Sequence, residues 1–214
     1  MAGESLEEVL QKSYDSTNKR VNVGATLASN SGVDVGDVTI TEGAARIGTV
    51  SGVAKTISVT KAIGAATDYA AEDVLSSGST GAAWTFAAIF RANNTGGYIT
   101  KAVVSCETTA QTPRLTLYLF NAAPTCNLHD NVANTAVVHA DIAKYVGKID
   151  FPALSDLGGN SEAIATPSTT GGLPLWVDAA AAADDLIGIL VTRDAITGES
   201  AGDDYVIKLT CEQY

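Results

Sequence analysis

From residue 67 onward the chain alternates apolar and polar positions at period two, in short runs separated by turn residues. The pattern predicts strands near Tyr69–Leu75, Ala83–Phe90, Tyr98–Cys106, Arg114–Phe120, Tyr145–Phe151, Leu173–Val177, Asp185–Thr192 and Tyr205–Glu212. In Arg114–Phe120, Leu115, Leu117 and Leu119 share one face while Thr116, Tyr118 and Phe120 share the other. Two largely apolar faces predict a central strand buried between layers. In the last run Tyr205, Ile207, Leu209 and Cys211 alternate with Val206, Lys208, Thr210 and Glu212, a half-solvated strand. Turn signals such as Asn93-Asn94-Thr95-Gly96-Gly97, Gly158-Gly159-Asn160 and Thr197-Gly198 fall between the runs. Eight strands with turn-rich connections predict an all-β fold, a two-sheet sandwich of jelly-roll-like form.

The first third reads differently. Ser5 precedes Leu6, Val9 and Leu10, with Glu8 three positions on, so a capping box opens a short amphipathic helix ending near Tyr14. Such a helix is marginal alone and needs a partner for its apolar side, making Leu6, Val9, Leu10 and Tyr14 candidate partner-docking residues. Beyond it the chain is punctuated by Gly, with strand-like pieces at Val33-Asp34-Val35, Val38-Thr39-Ile40, Ile47–Val50 and Thr56–Thr60. Residues 1–66 hold one of the 13 aromatic residues, Tyr14, and neither Cys nor Pro. Without large side chains this part cannot build a core of its own. The expected organisation is therefore an extended N-terminal docking arm with one short helix (1–66) before a β-sandwich body (67–214). A flexible linker is the plain alternative for the arm.

Charge sharpens the division. Residues 1–66 carry seven acids and six bases, whereas the rest carries 17 acids and seven bases, giving a net charge of −11 overall. That balance disfavours direct nucleic-acid contact, which needs clustered Lys and Arg. No apolar run approaches the roughly 18 residues of a membrane span, and the acidic N-terminus does not have the order of a secretion signal. The expected site of synthesis is a cytoplasm.

Candidate chemistry is sparse. His129 and His139 lie ten residues apart without metal-ligand spacing, so neither is expected to bind metal. No Gly-x-Ser-x-Gly elbow, phosphate loop or dinucleotide fingerprint occurs. The acid pairs Asp184-Asp185 and Asp203-Asp204 could interest calcium but read as acidic turns, since an EF-hand spacing is missing. Trp84 and Trp176 could stack on sugar rings if exposed, yet both sit in apolar runs and are expected in the core. Cys106, Cys126 and Cys211 are too few and too far apart for a disulfide framework and read as buried packing residues. These readings favour a protein that is not an enzyme and uses no cofactor.

Several stretches carry a resemblance. They are Tyr14–Val23, Trp84-Thr-Phe86, Gly97–Thr100, Pro113–Pro124, Lys144–Pro152 and Asp185–Leu190. Together they resemble tailed-bacteriophage virion structural proteins of the capsid-decoration or head-fibre kind, over most of residues 69–214 plus the short junction. The segment from Gly24 to Ala66 carries none of the likeness. The resemblance implies a protein on the virion surface that binds the outside of an assembled capsid and stabilises it. It also implies the major capsid protein or other virion proteins as partners and a homotrimer as the assembly. A tail-associated fibre, baseplate or adaptor protein is the first alternative, and a glycan- or receptor-binding module the second.

Overall fold

Period-two alternation becomes strand where β-branched and aromatic residues carry it and two faces must be served. The computed structural model describes residues 14–15, 20–21, 53–64, 68–78, 81–167, 172–198 and 202–213. Its strands are β1 (Tyr14–Asp15), β2 (Arg20–Val21), β3 (Val53–Ala62), β4 (Val74–Leu75), β5 (Trp84–Phe86), β6 (Gly96–Cys106), β7 (Leu115–Phe120), β8 (Tyr145–Phe151), β9 (Ser155–Asp156), β10 (Ser161–Ala165), β11 (Leu175–Asp178), β12 (Leu186–Thr192) and β13 (Asp204–Gln213). A 3-10 turn at His139–Asp141 is the only helical element among the described residues.

The chain divides into two units, Met1–Ile47 and Gly48–Tyr214. In the first, β1 pairs antiparallel with β2, setting Tyr14 opposite Val21. Tyr14 is therefore extended where the end of a helix was expected, and the rest of that predicted helix lies outside the described residues. Leu6, Val9 and Leu10 lie outside the described residues.

In the second unit two antiparallel sheets form a sandwich. The larger has the order β3-β13-β6-β10-β9, with β11 also paired to β6; the smaller has the order β4-β12-β7-β8, with β5 also paired to β12. The inner faces meet in one core. Leu115, Leu117 and Leu119 of β7 pack with Leu186 and Leu190 of β12, and across the layer with Val104 of β6 and Ile207 and Leu209 of β13. Each such side chain, fully buried, contributes about 1.5–3 kcal/mol of transfer free energy. Trp84 is buried as expected, and its indole N–H donates to the Leu75 carbonyl at 3.0 Å.

The outer face of β7 and β12 is covered too, but by a loop. Phe120, Ile189 and Val191 pack with Cys126 and with Leu128, Val137 and Val138 from the 24-residue stretch between β7 and β8. This accounts for the double-sided apolarity of β7: its second cover is a loop layer.

Strand β3 moves the domain boundary. It pairs with β13 in unbroken register from Val53↔Gln213 to Ala62↔Asp204, and Ile57 and Val59 pack against the core. Residues 53–62, grouped with the arm by their composition, are an edge strand of the sandwich. The structural division falls after Ile47, well before the compositional break at residue 66.

Candidate functional site

The outer face of the larger sheet stays open to solvent among the described residues, and its register decides what is displayed there. One cross-strand row runs through Trp176 of β11, Tyr98 of β6, Glu212 of β13 and Ala54 of β3. Beside it Thr210 and Thr56 stand opposite each other with their hydroxyls 2.9 Å apart, and the Thr100 hydroxyl donates to Glu212 Oε1 at 3.2 Å. A further row brings Ile164, Val103, Lys208 and Ser58 side by side. The face is therefore hydroxyl-rich, with an aromatic pair at one end.

Trp176 is 51% exposed, contrary to the expectation that it fills the core. The phase of β11 is the reason. Leu175 and Val177 face inward, so Trp176 and Asp178 face out. Its indole lies against Gly96, where a Cβ would sit 2.8 Å from Cζ2 and 3.1 Å from Cη2. Tyr98 meets it edge-on, with ring centroids 5.1 Å apart and planes inclined at 67°. Glycine at 96 and tyrosine at 98 thus hold the indole in one place with much of its surface free.

Several polar groups elsewhere are tied into the scaffold. Asp141 is fully buried and accepts hydrogen bonds from the Thr125 and Cys126 backbone N–H groups at 2.7 and 3.0 Å, and from the Thr125 hydroxyl at 3.0 Å. The Cys126 thiol and Lys144 Nζ add two more, at 3.1 and 3.0 Å. Burial opposes its ionisation, but the hydrogen bonds from Cys126, Lys144 and Thr125 outweigh it and hold the carboxyl well below the usual range. Asp130 accepts from the Tyr69 hydroxyl and from the Ser76 N–H at 2.8 Å, fastening the same loop to β4. On the smaller sheet's outer face Arg193 donates to the Thr116 and Tyr118 hydroxyls, both at 2.8 Å, and pairs with Glu72.

His129 and His139 are both exposed on the β7–β8 loop. Among the described residues no group of three or more His, Cys, Asp and Glu is placed to hold a metal ion. The acid pairs fix turns: Asp185 accepts from the Ala88 N–H at 2.7 Å and Asp203 from the Thr108 hydroxyl at 2.6 Å. Next to the second pair lies a shallow cleft of about 220 Å³, lined by Ser105, Cys106, Glu107, Asn160, Asp204 and Val206. All three cysteines are buried, and none is joined in a disulfide.

Of the four sequence-predicted docking residues, only Tyr14 is described. Trp176 was considered for sugar stacking only if exposed, and its pairing with Tyr98 was not anticipated. No protein-family model matches the chain, and no curated protein matches it.

Proposed function

We propose that this chain is a non-enzymatic virion structural protein of a tailed phage, which binds the outside of the assembled capsid as a homotrimer and stabilises it. One observation carries the reading: the strand order β3-β13-β6-β10 facing β4-β12-β7-β8. The first and last strands of the sandwich, β3 and β13, are neighbours, and consecutive stretches of its chain alternate between the sheets, as when a long hairpin is rolled up. That order supports a jelly roll, an architecture common in viral shell and lectin domains. A fold alone hosts many functions, so the resemblance of the strand and turn segments to capsid-decoration and head-fibre proteins supplies the second support. The wide, open outer face and the polar groups spent on fastening loops are consistent with a body that displays surface.

Counting copies per purified particle by mass spectrometry tests the proposal. Hundreds of copies are the expected result. Tens or fewer would favour a tail-associated fibre, baseplate or adaptor protein, and absence from the particle would end the virion reading. Light scattering on the isolated protein tests the trimer, which a monomer both in solution and on the particle would exclude.

A further inference from the structure

An exposed indole costs solubility, and most tryptophans are largely buried. Trp176 is instead held open: it lies on Gly96, is braced edge-on by Tyr98, and is 51% exposed. Around the Trp176–Tyr98 pair stand groups that accept or exchange hydrogen bonds. Asp178 shares its face of β11, Glu212 pairs with Tyr98 across the sheet, and Thr100 bonds to Glu212. We propose that Trp176 and Tyr98 form a binding site for a neutral pyranose ring, stacked on the indole with its hydroxyls met by the flanking carboxylates and hydroxyls.

Size and charge select this ligand. A stable protein–protein interface buries roughly 800 Å² on each partner, whereas two half-exposed rings offer on the order of 200 Å² together. That area suits one or two sugar rings. The base of a nucleotide would also stack, but the nucleotide's phosphates would meet Asp178 and Glu212 on a chain of net charge −11. A sugar's axial C–H groups match the apolar face of an indole, and its O–H groups need the acceptors that the acidic side chains supply. The fixed ring adds to this, because little side-chain freedom is lost on binding. The site is independent of where the protein resides, so the copy-number result does not bear on it.

The two tryptophans make the test direct, since Trp84 is fully buried and serves as an internal reference. The full chain is titrated with methyl β-D-glucopyranoside, methyl β-D-galactopyranoside and cellotriose, following tryptophan emission and saturation transfer to the sugar C–H protons. Binding of at least one of these, with Kd on the order of millimolar, is the expected result. Trp176→Ala should weaken it at least tenfold and Trp176→Phe less, with thermal unfolding unchanged in both. Three results overturn the proposal. One is the absence of any saccharide binding. Another is binding that persists in a folded Trp176→Ala variant. The third is a Trp176 response only to choline chloride, or only to raised protein concentration, which would assign the pair to a cation or to a second copy of the chain.

Discussion

At the scale of single residues, the buried Asp141 carboxylate organises the β7–β8 loop, because five donors converge on it. Its pKa is lowered on folding, and that of Asp194 falls to about 2 through hydrogen bonds from the Arg114 side chain and backbone. A depressed carboxylate pKa stabilises the fold fully above the unfolded value near 4 and loses that contribution as pH falls through the folded value. The unfolding temperature should therefore drop steeply between about pH 4 and pH 2. Asp141→Asn should lower it by several degrees at pH 7, because an amide cannot accept from all those donors, and should flatten the acid limb. An unaltered pH profile in that variant would show that Asp141 plays no part. The thiols give a second residue-scale test. Burial pushes Cys211 up to about 11, helped by the Glu212 charge, and burial likewise raises Cys126. With Cys106 also buried, Ellman's reagent should find no thiol in the native protein and three after denaturation. Rapid labelling of any one would contradict this. Gly188 is the third case. A Cβ there would lie 2.8 Å from Leu117 Cδ1, 3.2 Å from Phe86 Cε2 and 3.3 Å from Trp84 Cβ. Gly188→Val should cost about 1–3 kcal/mol by overpacking, measured by urea unfolding.

At the scale of elements, legibility followed chemistry. The runs behind β6, β7, β8, β12 and β13 are rich in Val, Ile, Leu and aromatics and were readable to within two residues at each end. β10 was not. Ser161-Glu-Ala-Ile-Ala165 is built mostly from residues depleted in strands, and its inward Ser161, Ala163 and Ala165 are small, so the run carries little apolar signal. The Tyr69–Leu75 run shrank to β4 and single bridges at Tyr69 and Asp73. The Asp73 carboxylate is turned back to the Ala70 N–H at 2.8 Å, fixing a turn in place of a strand. Trp176 was misplaced because Leu173, Leu175 and Trp176 make both faces of the run look apolar. Only pairing with Tyr98, 78 positions away, sets the phase. The candidate site was illegible for the same reason: it exists only once two distant strands are in register.

At the scale of the molecule, the boundary between the units decides which truncations survive. Composition placed it at residue 66, yet β3 supplies a full edge strand to the larger sheet, with Ile57 and Val59 against the core and Lys61 within 5.7 Å of the Trp84 ring centroid. Removing residues 1–47 takes away one unit and leaves the sandwich with all its strands. Removing residues 1–66 also strips β3, which leaves β13 paired to β6 alone, bares the backbone groups along its other edge and uncovers the core beside Trp84. The shorter deletion should therefore unfold cooperatively at nearly the temperature of the full chain. The longer one should be markedly less stable or aggregate through the bared edge of β13. Calorimetry on the two proteins decides it, and equal stability would mean that β3 is dispensable to the body. The same pair tests the proposed docking arm on purified heads. If residues 1–47 include the attachment, the folded 48–214 protein should no longer bind them, while undiminished binding would place the capsid contact on the sandwich itself.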